Sequence, residues 1–570
     1  MPRMETKLAA RFMYSSIAGT PRSPERYFAL LQGTENGDAT ILFAVINGAL
    51  QSVGQMSGKL HQGLEHEFLD AELRVVLGEH RRRLDGPLIV FSRALSLSST
   101  KILLGMQQHH MPVGPLTTIG ELAIHGNDFL DSQDTLWEGD PGLVEIVCEF
   151  APLWDLSNPR NVHKLFVRTY LLLTKYLPAS AGITKLFERV FGHGIAEMAF
   201  DGLALDDYLA LVFGIYTASR TAIDKQKTCL IDLDQIFRIT TLPPDGIRSF
   251  LARRSGDKDT FYREFALGID AVEAFADYIT SCKRALDMNV LKQRPLFVCA
   301  NGRYAVLDPQ FLIELLSTTV YWTIFDALPP GDVRREFSGL WGTCFEALVI
   351  EEMQHFYPPA DGILRSNVLF ATGEIDILLD FGDFIIVIEV KSGLMARDPR
   401  IARDPEAFRA ELHKKFVDDA GVNQLVKAVK AIAAGDIHAK AAGSRVYPIL
   451  IGDEPALQTL AANRYLDEEF TKQLSPRPDT VAPLTVMSID ELDELLPYIT
   501  AGDATWRQVL DVRFEQDGVT ADPFHTTWAT LRRDLGIAQR PHSFLSEADE
   551  MVRKRIFERY HFGETPAAQG

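Results

Sequence analysis

Residues Phe384-Ile-Ile-Val-Ile388 are continuously apolar and run directly into Glu389-Val390-Lys391. A strand that is apolar on both faces must be covered on both sides, so this segment calls for a buried sheet between other layers. Alternation along a strand puts Glu389 and Lys391 on one face and Val390 on the other. A carboxylate and an ammonium at the end of a buried strand are costly unless they are paired or bind a metal. The preceding apolar segment, Gly373-Glu-Ile-Asp-Ile-Leu-Leu-Asp380, connects through Phe381-Gly-Asp383, and the resulting hairpin brings Asp376 beside the pair.

The elements around this hairpin predict an α/β unit that begins after the break at Pro329-Pro330-Gly331. They are a helix over 332–356, strands over 363–370, 373–380 and 384–391, a long polar connection, a helix over 423–433, a strand over 446–451, a helix over 454–469, a strand over 484–487 and a helix over 489–498.

Asp on one strand, Glu-x-Lys on the next and flanking helices together resemble the PD-(D/E)xK nuclease superfamily over residues 331–500 of the 570. The resemblance implies a restriction-endonuclease-like core, a mixed sheet flanked by helices. It further implies that Asp376 and Glu389, with the backbone carbonyl of Val390, hold Mg²⁺ (Mn²⁺ being the alternative), and that Lys391 positions or activates the attacking water. The chemistry fits independently, because hard oxygen ligands suit Mg²⁺, which polarises a phosphoryl oxygen and acidifies bound water. The competing reading is a structural hairpin that ends in an ion pair.

Glu346 sits among Gly342, Val349, Ile350 and Met353, on an otherwise apolar helical stripe. The family often places a Glu on its first core helix facing the metal, so Glu346 becomes a third metal ligand by resemblance; otherwise it reaches solvent from the edge of the stripe. Glu351 and Glu352 read as ordinary exposed acids. Gln424 begins the helix after Glu-x-Lys, where some branches carry Gln-x-x-x-Tyr, but Ala428 replaces the Tyr here. Gln424 is therefore either an active-site contact or a surface residue, with Lys427 and Lys430 as candidate phosphate contacts. The connection from Gly393 to Gly421 holds Arg397, Arg400, Arg403, Arg409, His413, Lys414 and Lys415 alongside six acids. It is either a substrate-binding or gating insertion or a solvated one.

At 570 residues the chain exceeds one core, and a multidomain α+β organisation is expected. Residues 1–160 read as an α+β domain, with strands over 40–45, 87–91 and 144–150 and a helix over 60–79. Residues 161–330 read as mainly helical, over 163–176, 183–191, 205–219 and 269–285, with an Asn301-Gly302 hairpin followed by a helix over 309–318. Residues 232–251 have helix-turn-helix spacing, which two ordinarily packed helices also show, and no DNA binding is assigned to them. Residues 501–570 read as helical, and Arg532, Arg533, Arg553, Lys554, Arg555 and Arg559 read by default as a solvated face, ahead of a nucleic-acid patch.

A net charge of −19 argues against coating of nucleic acid by bulk electrostatics, so any such contact is expected to be local. No apolar run is long enough to span a bilayer. Five scattered cysteines and no secretory signal lead to an expected cytoplasmic location without a disulfide framework or zinc motif. P-loop, zincin and hydrolase-elbow motifs are absent, so ATP hydrolysis would have to come from a partner protein or ATPase. The expected function is Mg²⁺-dependent phosphodiester hydrolysis of nucleic acid, DNA ahead of RNA, with bacterial phage defence implied only by resemblance. The alternatives are a catalytically silent nuclease-fold binding module and an unrelated α/β scaffold. Oligomeric state is left open. All candidate ligands fall within about 330–500, and that span is expected to retain chemistry as a fragment while the N-terminal half selects or restrains.

Overall fold

The computed structural model describes residues 10–11, 24–34, 36–53, 58–83, 88–106, 116–130, 162–226, 228–281, 287–357, 363–396, 404–418, 421–437, 444–515, 524–538 and 540–560. The fold is mixed α/β, with two mixed sheets flanked by helices.

The described part of the N-terminal region is almost entirely helical, with one short parallel pair, β1 (Ala10–Arg11) against β2 (Leu88–Ile89). The strand expected over 40–45 lies instead inside a helix, Asn36–Val53. A continuous apolar run does not by itself separate a buried strand from a buried helix. Here Ala39, Phe43, Ile46 and Leu50, spaced by four, three and four, are fully buried, which is the helical period. The helix expected over 60–79 is two, Gly58–Phe68 and Ala71–Arg83, broken at Asp70, whose side chain accepts the Leu73 N–H at 2.8 Å. The strand expected over 144–150 lies outside the described residues.

The middle region is helical as expected, but it also carries a second sheet of order β3-β6-β5-β4, formed by Leu230–Ile231 (β3), Ser255–Gly256 (β4), Leu296–Val298 (β5) and Tyr304–Val306 (β6). Only its β5–β6 hairpin, with Gly302 at φ +75°, was legible as a turn signal. The helix-turn-helix spacing resolves into helices Leu233–Arg238 and Pro244–Arg254, whose Ile236, Ile247 and Phe250 are buried in the core.

The larger sheet follows the expected element order. A meander of β7 (Leu364–Phe370), β8 (Gly373–Asp380) and β9 (Phe384–Lys391) is antiparallel. β10 (Arg445–Gly452) and β11 (Thr485–Ser488) then add in parallel beyond β9. Five helices carry or support the polar clusters of the interior: α1 (Val162–Leu171), α2 (Asp332–Phe356), α3 (Gly421–Ala434), α4 (Ile489–Ala501) and α5 (Ser543–Phe557). The helix expected over 454–469 divides at Thr459 into a 3₁₀ turn, Pro455–Gln458, and an α-helix, Leu460–Leu474.

Both faces of β9 are covered. Ile386, Ile388 and Val390 join one hydrophobic cluster, and Ile385 and Val387 join another with α3 and the helix Leu460–Leu474. The first cluster extends from Leu165 to Tyr560, taking in α1, α2, α4 and α5. The positions near 331 and 501 are therefore connections between elements sharing one core. Among the described residues no helix is long and apolar enough to cross a membrane.

Candidate active site

β8 and β9 pair from Asp380–Ile385 up to Ile377–Ile388 and no further. The next residues along, Asp376 and Glu389, face each other past the end of the ladder, and a side chain takes over from the backbone: the Val390 N–H donates to Asp376 Oδ2 at 2.7 Å. In a strand the N–H and C=O of one residue point to the same edge. The Val390 carbonyl thus opens toward Asp376, where the family resemblance places a backbone ligand.

On the opposite face from Val390, Lys391 Nζ lies 2.7 Å from Glu389 Oε1. α2 packs on the Val390 side and passes close to this end of β9, so that a Cβ added to Gly342 would lie 3.5 Å from Ser392 Oγ. Glu346, one turn further along α2, is consequently half-buried beside the same groups. Burial, and then the Asp376 carboxylate, raise Glu346 to about 7. The same two causes push Glu389 up to about 8. Asp376 is raised by burial, against the pull of Lys391 and of the Val390 N–H. Burial alone would lower Lys391, but Glu389 and Asp376 outweigh it and hold the ammonium charged. All three carboxylates are thus held above their ordinary values by burial, most strongly Glu389 and Glu346, and a divalent cation would relieve both the desolvation and the mutual repulsion.

Gln424 is buried at the start of α3 and donates through Nε2 to the carbonyl of Glu374, two residues before Asp376. Gly373 makes room for it, since a Cβ there would come within 2.3 Å of Gln424 Nε2. Gln424 therefore braces the strand that carries Asp376. Lys430 is engaged with the Gln473 carbonyl at 3.2 Å, and Lys427 is exposed. In the long connection, Arg397, Arg400 and Arg403 lie outside the described residues. Its described part is a helix, Pro405–His413, continuing into a π-helical turn, with Phe408, Leu412 and Phe416 in the core. The C-terminal arginines are largely paired: Arg532 with Glu494, Arg553 with Asp549 and Arg559 with Asp207.

Sequence reasoning misses a second constellation. Glu352 on α2, Asp493 on α4 and His542 at the cap of α5 are all buried, and one ligand atom from each lies within 4.8 Å of the others. These residues have the ligand types and spacing to hold a metal ion. Glu352 is fully buried, contrary to its reading as an exposed acid, whereas Glu351 is half-exposed and paired with Lys175 and Tyr176. The signal was present: Glu352 follows Phe345 and Leu348 by seven and four residues and precedes Phe356 by four, on one helical stripe. Asp493 likewise follows Ile489 by four residues and precedes Leu496 by three, whereas His542 carries no local signal that marks it.

Comparison with protein-family models, curated proteins and solved structures finds no match to this chain. A functional reading therefore rests on the residues and their geometry.

Proposed function

We propose that this protein is a divalent-cation-dependent phosphodiesterase acting on nucleic acid, DNA ahead of RNA, through a PD-(D/E)xK-type site in a restriction-endonuclease-like core. The observation that carries this reading is the meeting of Asp376, Glu389, Lys391 and Glu346 where β8 and β9 cease to pair beneath α2. Their fit to a hard cation is tested by the donor set itself. Three carboxylates and the Val390 carbonyl supply only oxygens, and the raised values of Glu389 and Glu346, caused by burial and by the Asp376 carboxylate, are what a bound cation would relieve.

Asp376, Glu389, Glu346 and the Val390 carbonyl would hold the ion, Mg²⁺ or Mn²⁺, which supplies polarisation of the phosphoryl oxygen and acidification of water. Lys391, held charged, orients the attacking water and counters the charge that develops on the phosphorus oxygens. The Asp376–Val390 hydrogen bond fixes the first carboxylate to the strand bearing the other two groups, so the reacting geometry is preorganised by backbone. With a net charge of −19, substrate contact has to be local to this groove.

The direct test is incubation of the purified protein with linear, circular and single-stranded DNA and with RNA, in Mg²⁺, Mn²⁺ or EDTA. Cleavage that needs the cation and disappears on Asp376→Ala supports the reading; no cleavage of any of these substrates under any cation counts against it.

A further inference from the structure

We propose that Glu352, Asp493 and His542 form a structural divalent-cation site of the zinc class, separate from the Asp376–Glu389 groups, that ties α2 to α4 and to the start of α5. The inference depends on the packing of these helices and not on the nuclease reading.

Three observations carry it. Glu352 and Asp493 are 0% and 1% exposed, yet no other described group donates to Glu352 Oε2 or Asp493 Oδ1, and the two carboxyl groups lie within hydrogen-bond reach of each other. Two orphaned carboxylate oxygens in one buried cluster call for something positive between them. Second, the cations nearby are already spent on the far oxygen. Arg168 on α1 donates to Asp493 Oδ2 and also binds Asp490, and Lys164 lies 3.9 Å from the same Oδ2. That arrangement orients Asp493 as outer-shell partners orient a ligating carboxylate, leaving Oδ1 to the cluster. Third, the set is one imidazole and two carboxylates from three separate elements, which suits Zn²⁺ and disfavours Mg²⁺ and Ca²⁺, whose sites are built from oxygens.

His542 links occupancy to helix capping. Its Nδ1 accepts the Leu545 N–H at 3.1 Å, so the neutral ring carries its proton on Nε2, which lies 3.0 Å from Glu352 Oε1. A cation bound at Nε2 displaces that proton, and the ring then protonates at Nδ1 and gives up the cap bond. Binding would thus exchange a helix-capping hydrogen bond for a tie between three helices. Glu352 is six residues beyond Glu346 on α2, about 9 Å along the axis. The tie would therefore set the seating of the helix that leans over the Asp376–Glu389 groups.

The test uses full-length protein stripped with chelator and titrated with Zn²⁺ alone against a chromophoric competitor, in the unmodified sequence and in Asp376→Asn/Glu389→Gln, which disables the other site. One tight Zn²⁺ per chain is expected in both, with a raised melting temperature. Glu352→Gln and Asp493→Asn should each weaken this binding by at least about tenfold. His542→Asn keeps a capping acceptor at the start of α5, so its loss of Zn²⁺ affinity, also at least about tenfold, is not a loss of the helix. Equimolar Mg²⁺ should not displace the ion. Absence of Zn²⁺ binding in the unmodified chain, undiminished affinity in Glu352→Gln and His542→Asn, or displacement by equimolar Mg²⁺ each overturns the proposal. A metal-free chain whose stability instead follows the sharing of a proton between Glu352 and Asp493 would overturn it too, with that proton as the occupant.

Discussion

Asp376 and Val390 are joined across the point where β8 and β9 stop pairing, the backbone N–H of one strand donating to the carboxylate of the other at 2.7 Å. A side chain there does what the ladder does elsewhere, and it leaves the Val390 carbonyl on the same open edge.

Replacing Asp376, Glu389 or Lys391 by Ala is expected to lower hydrolysis by roughly a thousandfold or more each, with far less than additive effects in double variants, because the groups act as one unit. Near-ultraviolet circular dichroism checks that the fold survives. Full activity in a folded Asp376→Ala/Glu389→Ala variant would falsify the assignment.

The metal-free protein should lose stability as pH rises through the neutral range. Glu389 has a folded value of about 8 against an ordinary 4.5, so between those values the folded state holds a proton that the unfolded chain has released, and stability falls with rising pH. Glu346 adds to the effect in the same direction up to about 7. A tenfold difference in proton affinity corresponds to about 1.4 kcal/mol, so the loss is on the order of a few kcal/mol. Melting temperatures in EDTA should flatten across this window in Glu389→Gln, and a curve identical to that of the unmodified protein would rule the explanation out.

Glu346→Gln should raise the cation concentration needed for half-maximal activity several-fold, with most of the rate recovered at saturating cation. It removes one ligand charge from the facing helix while leaving Asp376, Glu389 and Lys391 in place. Titration of activity with Mg²⁺ reads this directly; an unshifted midpoint would return Glu346 to a purely structural position on α2.

Gly373→Ala and Gln424→Leu should be destabilising by a similar amount, about 1–3 kcal/mol, since each leaves the Glu374 carbonyl without its donor. The added methyl would come within 2.3 Å of Gln424 Nε2 and push it away from that carbonyl. Combined, the two should cost little more than either alone, as expected for residues sharing one interaction. Additive losses in urea denaturation would show that the two act separately.

A fragment spanning about 330–500 is expected to be insoluble or unfolded rather than an active module. Ile377, Ile386, Ile388, Tyr447 and Ile449 on one face of the sheet belong to a cluster completed by Phe166, Leu209, Phe250, Trp528 and Val552. Cutting at 330 and 500 strips these partners from the cluster that α2 and α4 share, and an apolar surface of this kind drives aggregation. Recovery of a soluble, cooperatively melting fragment would contradict the shared core.

Local pattern carried far in this chain. The alternation of Glu389, Val390 and Lys391, the apolar run before them and the turn at 381–383 determined the β8–β9 hairpin and the joint placement of Asp376, Glu389 and Lys391, because strand periodicity and turn chemistry act within a few residues. The helical stripe around Glu346 likewise put it toward the sheet. Tertiary structure decided the rest. Whether 40–45 became strand or helix depended on burial against distant helices. Arg168, Glu352, Asp493 and His542 meet from four segments separated by up to 374 residues of sequence, counted from Arg168 to His542. No periodicity records such a meeting; it arises only when α1, α2, α4 and α5 close one apolar core and carry their few polar side chains inside together.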